Sequence, residues 1–138
     1  MKANIPAAVP AIDPDRSVTI TVGGEQYDLM LTTLATKQIS KRYGGLEQLG
    51  EKLMKAENFD QSLEEICWLI ALMANQSVMI YNLRHKEEPR PLLTEEEVEL
   101  LTSPLDLAGF REALTEAMFR GTKRNIESED DGKNAAGA

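Results

Sequence analysis

Cysteine is nearly missing from this chain: Cys67 stands alone among 138 residues. No intramolecular disulfide can form, and no CxxC metal pair exists. A reducing compartment is the natural expectation. Histidine is as scarce, with only His85, so a zinc site would lack its usual donors. Aromatic residues make up 5 %, too few for a surface that stacks bases or sugars. Positive charge is also short, with 15 Lys and Arg against 23 Asp and Glu and a net charge of −8. Duplex binding needs cations to displace phosphate counterions, so nucleic acid is not an expected partner. The longest apolar run, Ile66 to Ala74, falls well below the roughly 20 residues that span a bilayer. The opening MKANIPAAVPAIDPD lacks the apolar stretch of a signal peptide. Neither membrane insertion nor export is expected, which leaves the cytoplasm.

The signatures of catalysis are missing as well. The pairs Gly23-Gly24 and Gly44-Gly45 lack the GxGxxG or GxxxxGK[ST] surroundings that cradle phosphate. There is no GxSxG elbow and no HExxH. Cys67 lies between Ile66 and Trp68, where nothing adjacent would lower its pKa, so it reads as a structural thiol. His85, beside Arg84 and Lys86, reads as a cation at a helix C-terminus. Glu64/Glu65 and Glu95/Glu96/Glu97 open helices, where the dipole favours acids, and Glu87/Glu88 and Asp130/Asp131 complete the paired carboxylates. No enzyme is expected, and no catalytic, cofactor-binding or metal residues.

What is present is a clear change of hydrophobic period. Hydrophobic residues make up 42 %, enough for one core in a single domain. Pro6, Pro10 and Pro14 make residues 1–16 an extended, flexible arm. From Ser17 to Leu31, Val18, Ile20 and Val22 alternate with threonines, and Tyr27, Leu29 and Leu31 alternate with Asp28 and Met30. Gly23-Gly24 between them predicts a β-hairpin. Helical spacing then begins. Thr32 or Thr33 caps a helix to about Tyr43, ended by Gly44-Gly45, and Leu46, Leu49 and Leu53 mark another to about Ala56. Asn58 or Asp60 caps a long apolar helix over residues 60–83. On it Leu63, Ile66, Ile70, Met73, Ser77 and Tyr81 form one stripe, and Trp68, Leu72, Met79 and Leu83 lie on another side. Such a helix is a central core element, or it faces both a core and a partner.

Pro89 and Pro91 place a loop over 84–93. Thr94 with Glu97 is a capping box for a short helix to Leu101. Ser103-Pro104 starts a last helix with the stripe Leu107, Phe110, Leu114 and Met118, and Gly121 is its expected stop. The expected fold is mainly α: a short N-terminal hairpin, then about five helices in one domain over 17–121. A disordered acidic tail is expected over 122–138.

Two basic runs, Lys37/Lys41/Arg42 and Arg120/Lys123/Arg124, read as decorations of helix ends. Helices joined by glycines suit a helix-turn-helix, but LEQLGEKLMKA carries Glu47 and Glu51 beside Gln48, Lys52 and Lys55, a poor match to DNA. Protein contact remains. Met30, Met54, Met73, Met79 and Met118 fall in structured segments, where flexible thioethers fill core gaps or line adaptable grooves.

The order of these elements resembles the tail assembly chaperones of long-tailed bacteriophages and prophages: VTITVGGEQYDLML, KRYGGLEQLGEKL, a long apolar helix, a Pro-rich loop, LLTEEEVELL and a last helix. The likeness is one of pattern and order over about residues 17–121 and carries no diagnostic motif. It implies a small, mostly helical, non-enzymatic protein of the host bacterial cytoplasm. Such a protein binds the tape measure protein, keeps it soluble during virion morphogenesis, and is absent from the finished particle. It also implies a second, longer product made by frameshifting, through which a tail tube protein would be met. Gly132-Lys133-Asn134 can be encoded as GGA AAA AAC, which contains a slippery heptamer. The partner residues expected on this reading are Trp68, Leu72 and Met79 with Leu107, Phe110, Leu114 and Met118. A homo-oligomer is compatible with it. A structural virion component, such as a head–tail connector or tail protein, and a small prophage adaptor are the alternatives.

Overall fold

The computed structural model describes residues 15–54 and 59–137, with side chains described over 15–52 and 62–122. Among the described residues, strands β1 (Ser17–Val22) and β2 (Glu25–Met30) precede five helices: α1 (Thr33–Tyr43), α2 (Leu46–Met54), α3 (Phe59–Arg84), α4 (Glu95–Leu101) and α5 (Pro104–Gly137). The chain is mainly helical with a short N-terminal antiparallel hairpin. Residues 1–14 of the expected arm, and Asn58 as a helix cap, lie outside the described residues. Asp60, the other expected cap, is the second residue of α3.

The hairpin closes as its sequence requires. Gly23 and Gly24 take φ of 62° and 86°, the doubly positive values of a two-residue loop that keeps the strand twist. The register pairs Val18 with Leu29, Ile20 with Tyr27 and Val22 with Glu25. Ile20, Val22 and Leu29 on that face are buried, and Val18 and Tyr27 pack against them. Met30 departs from strict alternation. It pairs with Ser17 on the opposite face, yet both are buried. Helix α5 meets this end of the hairpin, where Arg120 Nη1 donates to the Ser17 carbonyl at 2.7 Å. Two strands alone would be marginal in water; here α3 packs on β2, and α5 packs on β1 and β2.

Local chemistry sets four of the helix ends. Thr32 caps α1, its hydroxyl accepting from the Ala35 amide at 3.0 Å. Gly44, at φ 99°, ends α1 in the left-handed conformation, and its N–H donates to the Ser40 carbonyl at 2.8 Å. Thr94 and Glu97 form the complete capping box of α4. Ser103 and Asp106 exchange side-chain bonds to each other's amides at the start of α5.

Gly121 does not stop the last helix. The α5 backbone continues through it to Gly137, across residues expected as a tail. Its φ is not positive, so it is no left-handed cap. Instead it brings α5 against the end of β2: a methyl on Gly121 would fall 2.9 Å from Leu31 Cβ.

Helix α3 is the axis of the core. Ile66, Leu69, Ile70, Met73 and Ala74 are buried in one cluster with Leu29, Ile39, Leu49, Val98 and Leu114. By length and composition alone Ser62–Arg84, of mean hydropathy 1.4, would suffice to cross a membrane, a longer stretch than the unbroken apolar run suggests. Half of that window is buried inside the fold, as in the core helix of a globular domain. The loop after α3 is tied back onto it by two asparagines seven residues apart, hence on one face. Asn75 exchanges two 2.7 Å bonds with the backbone of Leu93. Asn82 does the same with Arg90, at 3.0 and 2.8 Å.

Candidate protein-docking groove

The start of α1 and the C-terminal half of α3 enclose an open groove of about 700 Å³. Leu34, Met79, Ile80 and Leu83 form its apolar part. Arg16, Thr32, Thr33, Gln76, Asn82 and Lys86 supply the polar part. Leu34 and Leu83 are 43 % and 71 % exposed, so water reaches large apolar surface here. Three of these polar side chains make hydrogen bonds. Thr32 Oγ1 donates to Gln76 Oε1, and Gln76 Nε2 donates to the Leu72 carbonyl at 2.8 Å. Arg16 Nη2 donates to the Leu31 carbonyl at 2.8 Å. The groove therefore pairs hydrogen-bonded polar groups with side chains suited to apolar contact.

The expected partner residues do not share one surface. Met79 lines the groove. Leu72 is half-buried and packs on the core. Trp68 is half-buried beside other side chains: Tyr43 meets it edge-on with centroids 5.9 Å apart, and the Arg42 guanidinium lies 4.4 Å from its ring centre. On the last helix Leu107 and Leu114 belong to the core, and Phe110 and Met118 are half-buried beside it. Leu114 and Leu107 are 0 % and 5 % exposed, and Phe110 and Met118 pack against the same cluster. The physical reason is the hairpin: its apolar face must be covered, and α5 is one of the helices that covers it. Leu34, Ile80 and Leu83 complete the groove and were not among the expected residues. The signal available was the spacing of Met79 and Leu83, one turn apart and beyond most of the core stripe.

A second polar constellation joins α1, α2 and α3. Glu65 is buried, and its carboxylate receives Arg42 Nε at 3.3 Å, Lys52 Nζ at 3.7 Å and the Tyr43 hydroxyl. Burial first, and then this bond to Glu65, push the Tyr43 phenol well above its ordinary range. The group is an ion-paired clasp, since each polar member is turned towards another. Glu65 and Arg42 thus do more than complement helix dipoles. Arg120 likewise sits within α5 rather than at its end, pairing with Glu116 at 2.8 Å as well as with Ser17. Lys123 and Arg124 have side chains outside the described residues.

Cys67 is 2 % exposed, and burial pushes its thiol up to about 11, with Glu99 and Glu95 adding to the shift. It borders a smaller cavity of about 370 Å³ shared with Leu63, Glu64, Glu99 and Leu107. His85 stacks on Tyr81 with centroids 4.0 Å apart, and its Nδ1 lies 3.0 Å from the Tyr81 carbonyl. Among the described residues no three His, Cys, Asp or Glu side chains are grouped to hold a metal. Compared with known proteins, the chain matches no family model, no curated protein and no solved structure.

Proposed function

We propose that this chain is a non-enzymatic assembly chaperone that binds an amphipathic segment of a much longer helical protein. The specific role proposed is that of a phage tail assembly chaperone, holding the tape measure protein soluble in the host cytoplasm during tail morphogenesis. The groove of Leu34, Met79, Ile80 and Leu83 carries this reading, because it leaves large apolar side chains open to water on a folded surface. Exposed apolar patches of this kind mark contact sites. A methionine in the groove suits partners of varied shape. A net charge of −8 supports the solubility of a complex whose other member is prone to aggregate. The order of hairpin, glycine-broken helix pair, long helix and capped last helices fits the resemblance drawn from the sequence.

The reading expects a long helical, tape-measure-like reading frame beside this gene, and the test is co-expression of the two. The two products are expected to co-purify, and Leu83→Asp is expected to separate them while leaving the melting temperature unchanged. A long protein that stays soluble without this chain would refute the chaperone role. Detection of the chain in purified virions would assign it to the particle instead.

A further inference from the structure

We propose that the groove between α1 and α3 takes a single amphipathic helix whose apolar stripe is flanked by acidic residues. This deepens the reading above, and rests on it only in taking the groove as the working surface. Three features of the lining select the occupant.

The first is that no strand contributes to the lining among the described residues. The lining residues come from Arg16, from Thr32 to Leu34 at the start of α1, and from Gln76 to Lys86 on α3 and just beyond it. An extended peptide binds by adding to a sheet edge, and no strand residue lines the groove. The second is that no aromatic residue lines the groove among the described residues. Polyproline segments dock between aromatic rings, so that mode has no platform here. A helix laid into an apolar groove needs neither. It needs room for side chains one turn apart, and Met79 and Leu83 present a matching one-turn spacing.

The third is charge. Among the described residues, Arg16 and Lys86 are the only ionisable ones in the lining, and both are cationic, although the chain carries −8. Glu87 and Glu88 follow Lys86 in sequence but do not line the groove. The first turn of α1, which forms one wall, contains no acidic residue to neutralise its positive dipole end. An acidic flank on the incoming helix is complementary to these cations, and a basic flank is opposed by them.

The experiment uses the full chain and two synthetic helices of about 20 residues, long enough to hold helical structure. Both carry the same Leu/Met stripe; one is flanked by Glu and the other by Lys. Fluorescence anisotropy at about 0.05 M and 0.3 M salt measures both affinities, since screening acts across that range. The Glu-flanked helix is expected to bind about ten-fold tighter at low salt, with the ratio shrinking at high salt. That outcome is demanding, because the net charge of the chain alone would favour the Lys-flanked helix. Leu83→Asp should abolish binding with unchanged circular dichroism, since Leu83 is 71 % exposed and supports no core. Lys86→Glu should reduce the preference. Equal affinity for the two helices, binding unaffected by Leu83→Asp, or binding that appears only after residues 1–14 are removed would each overturn the proposal. Peptide binding that survives alongside failed co-purification would refute the tape-measure reading alone.

Discussion

Replacing Gly109 and Gly121 by alanine, one at a time, should move stability in opposite directions although both lie in α5. In a helix interior this change gains about 0.5–1 kcal/mol from the unfolded chain's lost freedom and better propensity. Nothing lies within 4 Å of the methyl that Gly109→Ala introduces, so that gain is kept. At Gly121 the methyl would stand 2.9 Å from Leu31 Cβ, 3.2 Å from its Cδ2 and 3.4 Å from its carbonyl oxygen. The nearest of these atoms is fixed to the backbone and cannot swing aside. Helix and strand end must therefore part, and such overpacking costs about 1–3 kcal/mol. The net effect of Gly121→Ala is a loss of about 1 kcal/mol, and the gap between the two variants is about 2 kcal/mol. Urea unfolding followed through Trp68, the only tryptophan, reads both values. A Gly121→Ala variant as stable as Gly109→Ala would refute the close approach of α5 to Leu31. Gly121→Asn separates this account from a helix stop. A left-handed cap accepts Asn readily, whereas a crowded contact tolerates it less well than Ala.

Glu65→Ala removes the carboxylate that joins three helices and should cost about 2 kcal/mol. The value sits below that for a fully buried pair, because Arg42 and Lys52 are 35 % and 41 % exposed and can turn to water. Chemical denaturation checks it, and a loss within error of zero would show the clasp to be decorative. Cys67, with its thiol near 11, should react with a disulfide reagent at mildly alkaline pH only as fast as the chain unfolds. Rapid labelling of the native protein would contradict that. Glu95 is held above the ordinary carboxylate range by burial and then by Glu99, with Glu64 and Glu65 adding to the effect and Arg42 opposing it. The native chain binds this proton more tightly than the unfolded chain, so this group's contribution to stability grows as pH falls between the ordinary and raised values. Glu95→Gln should therefore melt higher than the parent at neutral pH, with the difference closing in acid. A variant that melts lower at neutral pH would show that the helix dipole outweighs these neighbours.

Where one or two residues decide the outcome, the chain could be read directly. Gly23-Gly24 admit the hairpin loop, Thr32 and Gly44 bound α1, and Thr94 with Glu97 opens α4, because each effect is completed within a few residues. Contacts between distant residues were not legible. Glu64 and Glu65 look alike at the start of an apolar stretch, but only Glu65 is buried against Arg42 and Lys52. Asn75 and Asn82 give no sign in sequence that they hold the loop at Arg90 and Leu93. Gly121 has the composition of a stop and serves as a point of approach, a distinction that depends on Leu31, ninety positions earlier in the chain. The site was legible only through Met79. The stripe on α5 has the same spacing whether it meets a partner or the hairpin, and spacing alone does not say which.

A helix with apolar residues on two sides suggests that one side serves the core and the other a partner, divided around its circumference. In α3 the division runs along the axis instead. The second side is partly covered in the first half, where Arg42 and Tyr43 lie beside Trp68 and Leu72 packs on the core. It opens only in the last turns, where Met79 is half-buried and Leu83 is 71 % exposed. Helices α1 and α2 are short and reach the N-terminal half through the Glu65 clasp, and only the first turn of α1 flanks the other end. The groove is what remains when an apolar helix of 26 residues outruns the elements available to cover it. Substitutions should follow that boundary. A charge at Leu83 is tolerated by the fold, whereas the same charge at Leu114, at 0 % exposure, removes it.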